Sequence, residues 1–144
     1  MIDFDQNKKK VRVAAGILWR NARFLAAKRP EGKERAGFWE FPGGKQEPGE
    51  EIEDTLRREL KEELDVCCGK LLPLRTCPHE YEDLCVELHF IHVLDFSGEP
   101  KSNDGQELRW VSREEALSLE FLPADKAVID IIYPPEELKE FEES

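Results

Sequence analysis

Three glutamates in one predicted helix offer the clearest chemistry in this sequence. Glu59, Glu62 and Glu63 lie in the segment LRRELKEELDV, and their spacing of i, i+3 and i+4 places them on one helical face. Like charges at these spacings repel each other on an isolated helix, by roughly a few tenths of a kcal/mol per pair. Mg²⁺ takes oxygen ligands and commonly bridges carboxylates to substrate phosphates. The cluster is therefore either a cation site or a solvated helix edge whose carboxylates pair with nearby Lys or Arg.

The periodicity of apolar residues predicts a helix over about residues 51–64, with a stripe of leucines facing the core. At about 100° per residue, Glu59 and Glu63 project within about 20° of Ile52, at the margin of that stripe. The same projection puts Arg58 near the opposite face, where solvated charges belong. Burying an unpaired carboxylate is costly, so carboxylates at the apolar margin need an explanation. The helix alone leaves both explanations open.

The loop before this helix has the residues of a phosphate-binding turn. In PGGKQEPGE, Gly43 and Gly44 let the backbone turn tightly and approach a ligand closely. Lys45 adds a positive side chain beside that turn, and Glu50 follows just before the helix. A glycine pair alone is usually only a turn. The combination of the turn, the lysine and the helical glutamates favours a site for a cation together with phosphate.

The remaining segments predict strands and helices in alternation. VRVAAGILW and RFLAAKR form a predicted strand pair, FWEF a short strand, LCVELHFIHVLDF a long strand over 84–96, and ELRWV another short strand. Ser112 has the form of a helix N-cap. LPADKAVIDII predicts a second helix, which Pro134 and Pro135 interrupt. We therefore expect one α/β domain over residues 1–144, with a central mixed sheet between helical layers and an acidic, partly helical C-terminal tail.

Composition argues against some classes of partner. The 144 residues carry 32 acidic and 21 basic side chains and a net charge of −11, which disfavours binding of a nucleic-acid polymer through a basic surface. No apolar run approaches the roughly 20 residues that span a bilayer, and the first ten residues lack the apolar core of a secretory signal. We expect a cytoplasmic protein without a membrane partner. The cysteines fit no zinc or CxxC spacing and are expected to be small buried hydrophobes. They are Cys67, Cys68, Cys77 and Cys85.

The central segment resembles the Nudix box, G-x5-E-x7-R-E-U-x-E-E-x-G-U, in which U is aliphatic. Gly44, Glu50 and RELKEELDV match every specified position except the last glycine, which is Asp65 here. That position ends the helix, where a left-handed cap suits glycine and tolerates Asp. WEFPGGK, LRWVSREEAL and FLPADKAVI extend the resemblance to the MutT branch over roughly residues 10–132. The resemblance implies a Nudix-type α/β/α sandwich.

The resemblance also implies a site for Mg²⁺ or Mn²⁺. When the family pattern is matched to this sequence position by position, the Gly43 carbonyl corresponds to one metal ligand. Asp104, in the loop SNDGQ, corresponds to a carboxylate that binds metal or assists the attacking water. Glu107 is the fallback for Asp104. Glu59 is favoured as the general base, with Glu62 close behind. The implied metal ligands are Gly43, Glu59, Glu62, Glu63 and Asp104.

Two pairs of residues complete the phosphate end of the implied site. Lys45, which is also assigned to catalysis, and Arg29 would contact the phosphates. Glu50 and Arg58 would pair with each other and hold the loop against the helix. All four assignments follow from matching positions in the family pattern.

Asp125 stands where the MutT branch has a residue that reads the base, often asparagine. Asparagine donates and accepts hydrogen bonds, whereas ionised aspartate only accepts, so Asp125 suits an exocyclic amine such as cytosine N4. A protonated Asp in an apolar pocket could still donate. The alternative is an ordinary acidic residue at a helix N-terminus. The resemblance implies a pocket wall of Val13, Phe41, Tyr81 and Val86, with Trp39 packed beneath it. For Val13 and Val86, a place in the hydrophobic core is at least as good an interpretation.

The resemblance implies a MutT-like diphosphatase that hydrolyses nucleoside triphosphates to the monophosphate and pyrophosphate. Oxidised nucleotides such as 8-oxo-dGTP are the first candidates, which would make the role sanitation of the nucleotide pool. The residues PAD at positions 123–125 resemble the corresponding residues of a MutT relative that acts on CTP and modified nucleotides. Hydrolysis of CTP or 5-methyl-dCTP is therefore an alternative. Hydrolysis of another nucleoside diphosphate derivative such as ADP-ribose is a second alternative, and a non-catalytic binding module is a third. The expected partner is a small-molecule nucleotide, and the protein a monomer or homodimer.

Overall fold

The strand β1 (Lys9–Arg20) organises the central sheet. The computed structural model describes residues 9–80 and 82–142. Along one edge, β1 pairs in parallel with β7 (Leu84–Val93) over ten residue pairs. Its other edge pairs antiparallel with β4 (Gly43–Lys45) and, at its end, with β2 (Arg23–Lys28). One parallel pairing among antiparallel ones confirms the predicted mixed sheet.

Five further strands complete the two sheets. β3 (Trp39–Glu40) and β9 (Leu108–Val111) both pair with β2, and β6 (Leu71–Glu80) pairs with β7. The main path through the sheet is therefore β3-β2-β1-β7-β6. β5 (Cys67–Cys68) and β8 (Phe96–Ser97) form a separate two-stranded ribbon. The predicted strand over 84–96 is thus too long: β7 ends at Val93, and the chain leaves the main sheet to form the ribbon.

The sheet is covered on both faces, which explains the continuous apolar run in β1. Ala14 and Leu18 face α1 (Ile52–Leu64) and pack with its leucine stripe. Ala15, Ile17 and Trp19 face the other way. A strand buried on both faces reads as an apolar run instead of an alternation. The second core consists of these residues together with Phe24, Phe41, Phe90, Val128, Ile129 and Leu138, among others.

The helices on the second face come from the C-terminal third of the chain. Ser112 Oγ accepts a hydrogen bond from Glu115 N, and Ser112 N donates one to the Glu115 carboxylate, which forms a capping box at the start of α2 (Arg113–Ala116). α3 (Pro123–Ile129) is shorter than predicted because the chain turns at Asp130. A 3₁₀ turn (Glu136–Leu138) and α4 (Lys139–Glu142) follow. The helical layers on both faces confirm the predicted α/β/α architecture.

Helix α1 ends as the box position predicts. Asp65 adopts φ 60° and ψ 37°, and its backbone N–H donates to the carbonyls of Leu60 and Lys61. The Asp65 carboxylate also accepts a hydrogen bond from Lys61 Nζ at 2.9 Å. An aspartate therefore provides the left-handed cap at the position where the Nudix box has glycine.

The cysteines correct one expectation. All four are free thiols, but Cys67 is exposed and the other three, Cys68, Cys77 and Cys85, are only half-buried. They lie on strands at the margins of the sheet and in the ribbon, where one side of each strand faces solvent. The prediction that they are buried hydrophobes was wrong. Within residues 9–80 and 82–142, no helix is long and apolar enough to cross a membrane.

Candidate active site

Arg58 connects the loop before α1 to the helix. Its Nε donates to Glu50 Oε2 at 2.6 Å, and its Nη2 donates to the Lys45 carbonyl at 3.0 Å. The Glu50 carboxylate also accepts from Glu47 N and from Thr55 Oγ1, both at 2.9 Å. These hydrogen bonds, above all the one from Arg58, lower the pKa of Glu50 to about 2. The helical projection predicted a solvated Arg58. That prediction was wrong, because the Arg58 guanidinium hydrogen-bonds to the loop before α1.

Glu59 packs directly on the glycine turn. Arg58 Nη1 donates to Glu59 Oε1 at 2.8 Å, and the side chain of Glu59 is only 17% exposed. A Cβ atom at Gly44 would overlap the Glu59 carboxylate. A side chain at this second glycine would therefore require the Glu59 carboxylate to shift.

Glu63 lies in a region of uncompensated negative charge. Burial raises its pKa to about 8, and repulsion from Glu59, Asp104 and Glu40 adds to this effect. A hydrogen bond from the Gly43 backbone acts in the opposite direction and favours the ionised form. Carboxylates from helix α1, strand β3 and the late loop thus meet here and repel one another. A bound cation would relieve that repulsion.

The loop that carries Asp104 is attached to the end of α1. Asn103 Nδ2 donates to the Glu62 carbonyl at 2.6 Å, and Asn103 N donates to the Glu63 carbonyl at 2.9 Å. Further along the loop, Gln106 N donates to Ser102 Oγ at 2.7 Å. The carbonyls at a helix C-terminus have no partner within the helix. By bonding to them, Asn103 holds the neighbouring Asp104 next to the glutamates.

A cavity of about 720 Å³ runs from these carboxylates to α3. The glycine turn and Lys45 form one end, together with Glu63 and Asp104. The first turn of α3 forms the other end. The predicted site residues that line this cavity are Val13, Arg29, Phe41, Gly43, Lys45, Glu63, Val86, Asp104 and Asp125.

Four predicted residues in the described part of the chain do not line this cavity: Glu59, Glu62, Trp39 and Glu107. Glu59 is behind Gly44, and the Glu62 side chain, 60% exposed, points outside the cavity lining. Trp39 is a buried core residue that is not part of the cavity wall. Tyr81 lies outside the described residues. Glu107, the fallback for Asp104, instead contacts Arg109 Nη2 at 3.2 Å and Lys28 Nζ at 3.9 Å.

Asp125 closes the far end of the cavity. Its side chain is 6% exposed, and its Oδ2 accepts a hydrogen bond from the backbone N–H of Phe41 at 3.0 Å. Burial raises the pKa of Asp125 to about 7, although the Phe41 hydrogen bond opposes this. The sequence suggested either a base-reading residue or an ordinary acidic residue at a helix N-terminus. Asp125 does lie in the first turn of α3, and it is also buried and lines the cavity.

Glu40 is the cavity residue that sequence reasoning missed. It lies between Trp39 and Phe41 in β3, and its carboxylate accepts a hydrogen bond from Arg29 Nη1 at 3.0 Å. Burial raises the pKa of Glu40, whereas Arg29 and Gln106 lower it. An acidic residue between two aromatic core residues was the signal available in the sequence. Arg29 Nε also donates to the Glu34 carbonyl at 2.8 Å, so the Arg29 side chain is held by protein atoms on two sides.

The donor set fits a hard cation. Glu63, Asp104 and the glycine turn line the cavity together, and because Gly44 has no Cβ the Glu59 carboxylate packs against it. Carboxylate and backbone oxygens are the ligands that Mg²⁺ prefers. In the part of the chain that the structure describes, no three His, Cys, Asp or Glu side chains are already arranged around one point. The carboxylate of Glu59 is held by Arg58, so it would have to turn to join Glu63.

Comparisons with known proteins agree with this geometry. The family model of the NUDIX domain matches residues 10–131. The chain is 38% identical over 122 residues to the CTP pyrophosphohydrolase of Escherichia coli, covering 85% of this chain and 90% of that protein. It is 35% identical over 125 residues to an 8-oxo-dGTP diphosphatase of Haemophilus influenzae, covering 85% and 91%.

Solved structures show the same fold. The solution structure of the E. coli ORF135 protein has a TM-score of 0.79 at 37% identity, covering 87% of this chain and 89% of that one. The MutT NUDIX hydrolase of Burkholderia pseudomallei has a TM-score of 0.72 at 26% identity, covering 85% and 98%. The chain belongs to the NUDIX family.

Proposed function

We propose that this protein is a nucleoside triphosphate diphosphatase that converts its substrate to the monophosphate and pyrophosphate, with oxidised nucleotides such as 8-oxo-dGTP as candidate substrates. The observation that carries the proposal is one cavity with two chemically different ends. Carboxylates, a glycine turn and Lys45 suit a metal-bound phosphate chain at one end, and buried Asp125 suits a base at the other. Relatives named 8-oxo-dGTP diphosphatase at 33–36% identity support this activity.

In this proposal the metal is Mg²⁺ or Mn²⁺, held by Glu59, Glu62, Glu63, Asp104 and the Gly43 carbonyl. When bound, such an ion neutralises charge on phosphate oxygens and makes a coordinated water easier to deprotonate. Phosphoryl transfer otherwise needs mainly positioning and charge stabilisation from the protein. The chain supplies both, because Arg58 and Glu50 hold the loop on the helix that carries the carboxylates.

Lys45 is the proposed phosphate contact and contributes positive charge next to the reacting phosphates. Arg29 is the second proposed contact, although its guanidinium already bonds Glu40 and the Glu34 carbonyl. Of the two candidate bases, Glu59 shares Oε1 with Arg58 at 2.8 Å, whereas Glu62 has only a 3.5 Å contact with Arg58. The freer carboxylate of Glu62 favours it as the acceptor of the proton from water, with Glu59 as a ligand.

A second candidate is hydrolysis of CTP or 5-methyl-dCTP. Asp125 presents a buried carboxyl group to the cavity. When ionised, this carboxylate only accepts hydrogen bonds and suits an exocyclic amine, such as cytosine N4. The relative named CTP pyrophosphohydrolase, at 38% identity, supports this candidate. Protonated Asp125 would instead donate a hydrogen bond, which suits a base with a carbonyl at that position.

The decisive experiment measures pyrophosphate release in Mg²⁺ across 8-oxo-dGTP, dGTP, CTP, 5-methyl-dCTP and ADP-ribose, with EDTA as the metal-free control. We expect pyrophosphate from at least one triphosphate, and the ratio of kcat/KM values will rank the two candidates. Absence of turnover of every triphosphate would overturn the proposal.

The mechanism predicts a large effect from one substitution. Glu62→Gln removes a negative ligand and proton acceptor while keeping the size of the side chain, so kcat should fall on the order of 10²-fold or more. The measurement is the steady-state rate on the best triphosphate of the panel. Asp54→Asn, an exposed carboxylate on the same helix, is the matched control and should retain the normal rate. A near-normal rate for Glu62→Gln would contradict the assigned role.

A further inference from the structure

A second groove lies on the other side of Lys45. It has a volume of about 770 Å³ and is formed by the first residues of β1 and by the loop of residues 46–50. Lys45 lines both this groove and the cavity of the candidate active site. We call it the β1 groove, and its charged and polar lining consists of Lys9, Lys10, Arg12, Lys45, Gln46, Glu47, Glu50 and Glu87.

Among the residues that the structure describes, one edge of β1 is only partly paired, and the groove lies beside the unpaired part. β4 pairs with β1 at Val13, Ala14 and Ala15, and the last contact on this edge is the hydrogen bond from Gln46 N to the Arg12 carbonyl at 2.8 Å. The pairing with β7 continues to Lys9 on the opposite edge. The first residues of β1 therefore extend past the end of β4, and the space beside them forms the groove.

The carboxylates of the groove are already paired. Arg58 binds Glu50 at 2.6 Å and Glu47 at 3.4 Å, and Arg12 binds Glu87 at 3.1 Å. His89 Nε2 lies 2.7 Å from the same Glu87 carboxylate. Arg58 is shared by Glu47 and Glu50 and also binds Glu59, so two arginines face the three carboxylates that line the groove. The lining as a whole carries four basic and three acidic side chains.

The lysines of the groove are not paired. Among residues 9–80 and 82–142, neither Lys9, Lys10 nor Lys45 forms an ion pair with a carboxylate. Lys9 and Lys10 are both exposed. The groove therefore presents three lysines that have no ion-pair partner among the described residues, in a chain whose net charge is −11. Positive charge concentrated in a concave site attracts anions from solution and holds them.

We propose that the β1 groove binds the far end of the substrate's phosphate chain, beyond Lys45. The base would lie at Asp125, the reacting phosphates between Glu63 and Lys45, and the terminal phosphates beside Lys9 and Lys10. The groove makes affinity depend on the number of phosphates, so longer chains bind more tightly than shorter ones. This inference rests on the proposed function for the direction of the chain, but the groove itself binds phosphate whether or not hydrolysis follows.

The test compares inorganic tripolyphosphate with pyrophosphate as ligands of the full chain, at saturating Mg²⁺. Binding is measured by calorimetry and by shifts of backbone amide resonances. We expect tripolyphosphate to shift the amides of residues 9–12 and 46–49 and to bind about tenfold more tightly than pyrophosphate, because it gains charge-assisted contacts. The double variant Lys9→Glu/Lys10→Glu should lose that preference.

The matched control is Lys70→Glu/Lys139→Glu, which changes the net charge equally at two exposed lysines outside both cavities. It should keep the preference for tripolyphosphate. An equal loss in the control would show that only net charge matters and would overturn the proposal. An unchanged preference in Lys9→Glu/Lys10→Glu would also overturn it.

The two proposals fail separately. If a triphosphate is hydrolysed but no amide in the β1 groove shifts, the proposed diphosphatase activity stands and the proposed phosphate binding in the groove is refuted. Lys9- and Lys10-dependent binding of tripolyphosphate without turnover of any nucleotide would support the groove and refute the diphosphatase. A circular dichroism spectrum equal to that of the unsubstituted protein establishes that each double variant is folded.

Discussion

Glu63 shows how a single residue links stability to the cation site. Its folded pKa of about 8 lies above the ordinary value of 4.5, so the folded protein binds a proton more readily than the unfolded chain does. Stability from this group is therefore complete below about pH 4.5 and is lost as the pH rises through about 8. The loss reflects burial and repulsion by neighbouring carboxylates, which are the conditions that a cation would reverse.

Substitution of Glu63 by Gln should consequently stabilise the metal-free protein at high pH. At pH 9 in EDTA, we expect Glu63→Gln to melt roughly 2–4 °C higher than the unsubstituted protein, the shift that about 1 kcal/mol causes in a chain of this size. Saturating Mg²⁺ should raise the melting temperature of the unsubstituted protein more than that of the variant. Differential scanning calorimetry provides the measurement, with exposed Glu53→Gln on the same helix as control. An equal Mg²⁺ response in the two proteins would argue against Glu63 as a ligand.

Asp125 governs the choice of base under the same proposal. Asp125→Asn keeps an oxygen that can accept from Phe41 N–H and adds an amide donor. We expect the ratio of kcat/KM values between cytosine and guanine triphosphates to change on the order of tenfold. The dependence of the rate on Mg²⁺ concentration should stay the same. Asp130→Asn, an exposed carboxylate at the end of α3, is the control, and an equal loss on all substrates would speak against a base-reading role.

At the scale of elements, the contact between β4 and α1 determines where the carboxylates lie. Gly44 lets strand β4 pack closely against the Glu59 carboxylate. Arg58 hydrogen-bonds to Lys45 and Glu50, the two ends of the loop between β4 and α1. A methyl group at Gly44 would have to push the strand or the carboxylate away. The geometry of the site thus depends on a residue without a side chain.

Gly44→Ala should therefore lower both stability and activity. Overpacking of this kind typically costs about 1–3 kcal/mol, and a displaced Glu59 should reduce kcat at least about tenfold. Chemical denaturation and steady-state rates provide the two readouts. The double variant Gly44→Ala/Glu59→Ala removes the overlap, so its stability should exceed the sum of the two single effects, while its activity stays low. Additive stabilities would contradict the steric explanation.

Some features of the helices and strands could be predicted from the sequence, and others depend on the fold. The periodicity of apolar residues placed α1 within a residue of its observed start, because helix formation depends on short-range patterning. The pairing of Glu50 with Arg58 was implied by the resemblance to the Nudix box, and the structure contains it. The inward position of Glu40 was not predictable, since it follows from where β3 meets α3 and the late loop. The exposure of Cys67 was missed for a similar reason: a short ribbon at the margin leaves one face in water. Burial of Asp125 needed the fold, because it depends on a contact with Phe41, far away in sequence.

At the scale of the whole molecule, one buried pair makes stability sensitive to acid. Trp19 Nε1 donates to His92 Nδ1 at 2.9 Å in the core opposite α1. Burial lowers the pKa of His92 to about 4, below the ordinary value of 6.5. The unfolded chain therefore takes up this proton first, and stability from His92 is lost as the pH falls from about 6.5 to about 4.

His92→Gln tests this dependence, because glutamine retains an acceptor for Trp19 and does not titrate. Between pH 6.5 and 4, the free energy of unfolding of the unsubstituted protein should decline more than that of the variant, by on the order of 1–3 kcal/mol. The difference between the two proteins is the quantity to measure by denaturation. Asp125 and Glu63 titrate in overlapping ranges with the opposite sign, and they act equally in both proteins. Parallel declines would contradict the assignment to His92.

The parallel pairing of β1 with β7 sets the order of events during synthesis. Partners in this ladder lie about 75 residues apart along the chain, and such distant contacts slow folding. At the usual rate of about 5–20 residues per second on the ribosome, β7 is synthesised roughly 4–15 s after β1. During that interval an apolar strand edge is available to other nascent chains. The parallel edge of β1 therefore stays unpaired by its native partner until β7 has been synthesised.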